Sequence, residues 1–136
     1  MILLDTNIIS EALKPNGDPA VLAWLDAQSV ETLHLSTITL AELRFGIAAL
    51  PAGQRRDLLA QALDERVLPL FEGRVLPFDR EAADAYGELR ARARAAGRAI
   101  GAADGYIAGI AVAHELAVAT RDVGPFRAAG LSVISP

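Results

Sequence analysis

The chain has 136 residues, 52% of them hydrophobic and 22% charged, with seven prolines, eleven glycines and no cysteine. That is one domain with a sizeable core, and it excludes a disordered tail, a fibrous repeat, disulfides, thiolate metal sites and cysteine nucleophiles. Thirteen basic residues against seventeen acidic ones leave a formal charge of -4, which argues against coating a duplex by net charge but allows a local basic face.

Ile2-Leu3-Leu4 is a short apolar run that breaks at Asp5-Thr6-Asn7, after which Ile8, Ile9, Ala12 and Leu13 recur at helical spacing. The pattern predicts strand, turn and helix. Asp18-Pro19 supplies an N-cap with proline at the first helical position, opening a helix to about Gln28. Thr32 to Ser36 is the second strand, and Ser36 or Thr37 caps a helix through Leu40, Leu43 and Ile47 to Leu50, which Pro51 terminates. A polar-faced helix follows from about Gln54 to Val67, then a third strand at Arg74 to Pro77. Asp79 opens a long helix to about Ala96, with Gly97 as its C-cap.

From Ala102 to about His114 the chain is small and apolar, with Gly101, Gly105 and Gly109 at intervals of four. This spacing predicts a helix lying close against a sheet, since the run is too short to span a membrane. Leu116 to Ala119 is the fourth strand, Val123 to Ala128 a short helix and Leu131 to Ile134 the fifth strand. Strands separated by helices imply right-handed crossovers, so we expect a single α/β domain over residues 1–136. Its parallel sheet of four or five strands carries helices on both faces. No export signal or membrane span is visible, and a cysteine-free chain suits the reducing cytoplasm.

In such a sheet ligands bind beyond the carboxyl ends of the strands, where strand order reverses. Asp5 follows strand one and Asp122 follows strand four, while Glu42 and Asp104 interrupt apolar helical faces. Each acid also has a local role open to it as cap, first-turn acid or turn residue. Acids brought together at one edge repel unless a cation neutralises them, and oxygen donors select Mg2+ or Mn2+ over zinc. Such a centre suits phosphodiester hydrolysis by an activated water. Thr6, Asn7 and Thr120 stand beside the strand-end acids, where they either orient carboxylates or satisfy turn backbone.

Four segments in order carry a resemblance: Met1-Ile2-Leu3-Leu4-Asp5-Thr6-Asn7, the stretch from Ser36 through Ala41-Glu42-Leu43-Arg44 to Gly46, Ala102-Ala103-Asp104-Gly105-Tyr106-Ile107-Ala108, and Ala119-Thr120-Arg121-Asp122. Over essentially its whole length the chain resembles the PIN-domain ribonucleases, in particular the VapC-type toxins of toxin–antitoxin pairs and their FitB-like subset. The resemblance implies a PIN-domain fold and a metal-dependent endoribonuclease with Asp5, Glu42 and Asp104 as an acidic triad and Asp122 as fourth acid. Many VapC-type chains read Thr-Arg-Asn at the last turn and carry an acid three positions on, where this chain has Pro125. Asp122 stands at that asparagine position, which leaves open direct, water-mediated or structural roles. The resemblance also implies a cognate antitoxin with a ribbon-helix-helix part that alone reads DNA, a homodimer, and higher toxin–antitoxin assembly.

Twelve of the thirteen basic residues are arginine. Arg90, Arg94 and Arg98 form a stripe read first as a solvated face paired with Asp84 and Glu88, with RNA or an acidic partner as the alternative. Arg44 and Arg121, beside proposed catalytic acids, are the better candidates for RNA contacts. His34 and His114 lack a ligand pattern, and Trp24, Phe71, Phe78 and Phe126 are expected to pack. A dehalogenase-type phosphatase needs a second aspartate where this chain has Asn7. A receiver domain needs a lysine near the last strands, whereas Lys14 is the only lysine. The remaining competitor is an inactive PIN-like module that binds its partner without cutting RNA.

Overall fold

A computed structural model describes all residues, Met1–Pro136. Five strands, β1 (Ile2–Leu4), β2 (Leu33–Ser36), β3 (Val75–Leu76), β4 (Ala117–Ala119) and β5 (Val133–Ile134), form one parallel sheet in the order β3-β2-β1-β4-β5. Seven α-helices connect them: α1 (Thr6–Leu13), α2 (Pro19–Asp26), α3 (Thr37–Ala48), α4 (Gln54–Ala62), α5 (Arg80–Ala95), α6 (Ala102–Ala113) and α7 (Val123–Ala128). The parallel sheet of four or five strands with helices on both faces, expected from the alternation of elements, is found with five strands.

The caps explain why the helices begin where they do. Asp18 Oδ1 accepts from the Ala20 amide, Ser36 Oγ from Thr39 and Asp79 Oδ1 from Ala82, each satisfying a donor that the first helical turn leaves free. The stretch expected as one helix to Val67 changes character instead. The α-helix stops at Ala62, widens into a π turn at Leu63–Val67 and tightens into a 3-10 turn at Leu68–Phe71, where Pro69 has no amide hydrogen to continue the ladder.

Successive residues of a strand point to opposite faces, so a strand with both faces covered needs apolar residues at every position. Leu3 and Leu4 are both fully buried, as are Val118 and Ala119 beside them. Leu4 and Ala119 join Leu33, Leu35, Ile8 and Phe71 in one core, while Leu3 and Val118 join Leu89, Ile107, Ile110 and Phe126 in the other.

The glycine spacing in α6 does create a close approach, but to α5 rather than to the sheet. A Cβ at Gly109 would stand 2.7 Å from the Ala82 carbonyl oxygen, and one at Gly105 would stand 2.8 Å from Tyr86 Cε2. The two helices share one face of the sheet and pack edge to edge, which the glycines permit. Gly101 meets no such neighbour. α5 ends at Ala95, and Gly97 reverses the chain at φ +74°, so Arg98 leaves the helix that carries Arg90 and Arg94.

Candidate metal-binding carboxylate site

From β1 the chain moves outward through β2 and β3, then crosses to the other side of β1 for β4 and β5. The carboxyl ends of β1 and β4 therefore flank the switch point, and crossover helices diverge to the two faces around it. Asp5 caps α1 directly after β1 and is 5% exposed. Thr120 and Asp122 follow β4. α3, which carries Glu42, belongs to one face, and α6, which carries Asp104, belongs to the other; the two helices touch.

Thr120 is the hub. Its fully buried hydroxyl donates to Asp5 Oδ2 at 2.8 Å and accepts from Asn7 Nδ2 at 3.2 Å and from the Asp122 amide at 3.0 Å. One proton and two lone pairs are thereby all used. The other Asp5 oxygen accepts from the Thr6 amide at 2.8 Å, and Asn7 Oδ1 accepts from the Arg121 amide at 3.1 Å. Thr6 Oγ1 also donates to Glu42 Oε1 at 2.8 Å, and the buried Thr39 hydroxyl lies 3.1 Å from Thr6 Oγ1, placed to donate to it. Thr6, Asn7 and Thr120 thus orient the acids and satisfy the turns together. Thr39 was not apparent in the sequence, where a threonine one turn into a helix carries no signal.

Electrostatics link all four acids. Burial pushes the Asp5 carboxyl above the usual aspartate value, the Thr120 and Thr6 hydrogen bonds oppose the rise, and the charges of Asp104 and Glu42 add to it. Burial also raises Asp104, reinforced by Asp122 and then Glu42. The ion pairs of the chain are Lys14–Glu11, Arg44–Asp64, Arg121–Glu11 and Arg121–Asp18, so none of the four acids has an internal cation. Oxygen donors without a counter-charge fit Mg2+ or Mn2+. As the side chains stand, no three of them surround a common point at ligand distances. Only Asp5 and Glu42 accept hydrogen bonds, which leaves Asp104 and Asp122 free to rotate.

Both arginines singled out for RNA are engaged elsewhere. Arg44 pairs with Asp64, and Arg121 bridges Glu11 at 2.8 Å and Asp18 at 2.9 Å. Glu11 is 5% exposed on the inner side of α1, and its pKa lies below the usual value, chiefly through its bond to Lys14. Its position one turn after Ile8 was the available signal for this anchor.

The chain is thus an α/β domain with a parallel 3-2-1-4-5 sheet, with Asp5 and Asp122 following the two strands at its switch point and Glu42 and Asp104 on helices of opposite faces. Residues 2–131 match the PIN domain family, and the chain belongs to it. It is 60% identical over 136 residues to VapC ribonuclease Y4jK of Sinorhizobium fredii, covering 100% of this chain and 97% of that protein. It is 51% identical over 136 residues to toxin FitB of Neisseria gonorrhoeae, covering 100% and 98%. A chain in the solved structure of FitAB bound to an IR36 DNA fragment superposes with a TM-score of 0.94 at 48% identity, covering 98% of this chain and 94% of that one.

Proposed function

We propose that the protein is a Mg2+- or Mn2+-dependent endoribonuclease and the toxin of a toxin–antitoxin pair, with Asp5, Glu42, Asp104 and Asp122 as its working acids. The observation that carries this reading is the mutual influence of four carboxylates that have no cation of their own. Asp5 is the fixed member, gripped through both oxygens, and Glu42 is aimed by Thr6. Asp104 and Asp122 would complete the donor set for a divalent ion from the α6 and β4 sides. A bound divalent cation lowers the pKa of water and stabilises developing charge on phosphate oxygens. The protein supplies the fixed negative frame, and no side-chain nucleophile is needed.

VapC ribonuclease and toxin FitB are the relatives that support the activity and the role, and FitAB on DNA supports an antitoxin partner that carries the DNA contact. In our reading the partner is an antitoxin with a ribbon-helix-helix part. A groove of about 880 Å3 between the end of α1 and α4, with Leu13, Leu58 and Leu59 inside and Lys14, Arg55 and Arg66 around it, suits an apolar partner helix with acidic flanks. Phe45, 76% exposed on α3, suits a contact between two copies of the chain. No helix is long and apolar enough to cross a membrane, and we place the pair in the cytoplasm.

The test is to incubate purified, partner-free protein with structured RNAs in Mn2+, in Mg2+ and after chelation. Cleavage in either metal that stops on chelation, while the circular dichroism spectrum is unchanged, is the expected result. A folded, chelated protein that still cuts RNA overturns the carboxylate–metal reading. A metal-loaded protein that never cuts yet binds its antitoxin favours the inactive binding module.

A further inference from the structure

A second groove, of about 510 Å3, lies between the C-terminal half of α5 and the segment leading into α6, lined by Tyr86, Gly87, Arg90, Arg94, Ala99 and Ile100. Gly87 and Ala99 leave it open, Tyr86 supplies an aromatic wall and the two arginines supply charge. Both arginine residues are exposed, and neither forms an ion pair. Asp84 and Glu88, expected from their spacing to neutralise them, do not do so. Arg90 instead donates to the Tyr86 hydroxyl and stands 5.6 Å from the centroid of that ring.

The groove adjoins the carboxylate site through the backbone. Ile100 lines the groove, and Asp104 stands in the first turn of the helix that begins at Ala102. The Tyr86 ring lies directly over Gly105, the residue after Asp104, and stacks on Tyr106 at 4.8 Å between centroids, with Phe78 packed against both rings. A carboxylate cleft repels the phosphates of a polyanion, so cations beside it are needed to hold RNA at low salt cost. Arg44 and Arg121 are consumed by internal acids, whereas Arg90 and Arg94 are unpaired and line a groove beside the segment that leads into the Asp104 helix.

We propose that this groove is an RNA subsite: Arg90 and Arg94 hold backbone phosphates next to the scissile one, while Tyr86, packed against Gly105, Tyr106 and Phe78, ties their helix to the start of α6. The proposal rests on the nuclease reading for its substrate, but its test does not require turnover. Arginine forks match phosphate oxygens, which every nucleotide carries, so the subsite contributes affinity and register rather than sequence choice.

The probe is a fluorescein-labelled single-stranded RNA 12-mer of mixed sequence, titrated in Mg2+ by anisotropy against the full chain carrying Asp5→Asn to prevent cutting. The background is then combined with Arg90→Ala and Arg94→Ala together, or with Arg80→Ala and Arg127→Ala, which remove the same charge from exposed, unpaired positions outside both grooves. The α5 double variant should bind about 5- to 20-fold more weakly, and the slope of log affinity against log salt should shrink by about 1.4, the value for two lost single-strand phosphate contacts. The Arg80→Ala and Arg127→Ala variant should bind within about twofold of its background. Lysine at both α5 positions should recover most of the salt slope, which a purely structural role does not explain.

Equal RNA affinity and salt slope in the α5 variant and its background overturn the subsite, even if the wild type cleaves RNA. Loss of antitoxin binding with RNA affinity intact also overturns it and assigns the groove to the protein partner. Arginine-dependent RNA binding by a chain that never cleaves supports the subsite while refuting the nuclease reading, so the two failures are separable.

Discussion

Replacing Thr120 by valine keeps the shape of a fully buried side chain and removes three hydrogen bonds at once. The bond to the Asp5 carboxylate is charge-assisted, a class that contributes about 1.5–3 kcal/mol, and the bonds from Asn7 and the Asp122 amide contribute about 0.5–1.5 kcal/mol each. Asn7 is half-buried and can turn towards water, and the added methyl gains apolar contact, so the net loss should be about 2–4 kcal/mol. For a chain of this length that lowers Tm by about 8–15 °C in scanning calorimetry. The loss should also depend on pH in the metal-free protein. Asp5 already has a folded pKa above its unfolded value of 3.8, and Thr120 opposes that rise. Ionised Asp5 therefore costs stability above its folded pKa, the cost is relieved as pH falls towards 3.8, and valine enlarges it at neutral pH. The gap between wild type and Thr120→Val should narrow on acidification, whereas Thr120→Ser, which keeps the hydroxyl, should stay within about 1.5 kcal/mol of wild type throughout. A valine variant as stable as wild type at pH 7, or a gap that widens in acid, refutes the hub.

Asp5→Asn should abolish cleavage while changing stability without metal by less than about 2 kcal/mol, because removing a buried charge that Asp104 and Glu42 oppose offsets the weakened bond to Thr120; a larger calorimetric loss contradicts this. Gly109→Ala should destabilise by about 1–3 kcal/mol, since the new methyl meets the Ala82 carbonyl, whereas Gly46→Ala on α3, with open space around it, should stabilise by about 0.5–1 kcal/mol in urea titrations. Arg121→Ala should cost about 1 kcal/mol at neutral pH, discounted because the arginine is 43% exposed. That contribution is present above the unfolded Glu11 value of 4.5 and should vanish as pH falls through its lowered folded pKa, which paired thermal melts of the two chains can follow.

The strand and helix order was legible because burial on both faces leaves runs such as Ile2-Leu3-Leu4, and because Asp18, Ser36 and Asp79 announce helix starts by their own chemistry. The strand-end position of Asp5 and the acid-interrupted faces of α3 and α6 similarly pointed to one edge of the sheet. What could not be read are relations between elements distant in sequence. Asp18 and Asp64 gave no sign that they would engage Arg121 and Arg44, and Asp84 and Glu88 fall at helical spacing from arginines they do not meet. The glycines of α6 signalled a close neighbour without saying that it is α5. The Thr120 hub joins residues 5, 7, 120 and 122, and only the folded sheet shows that one hydroxyl serves all of them.

The central claim is that Asp5, Glu42, Asp104 and Asp122 form one oxygen-only metal centre, and anomalous diffraction from a manganese-soaked crystal tests it most directly. The account expects a peak between Asp5 and Asp104, with Asp5 Oδ atoms about 2.0–2.3 Å from the ion and the Asp104 side chain rotated towards it. A saturated soak with its manganese bound elsewhere, or with no peak at this edge of the sheet, contradicts it.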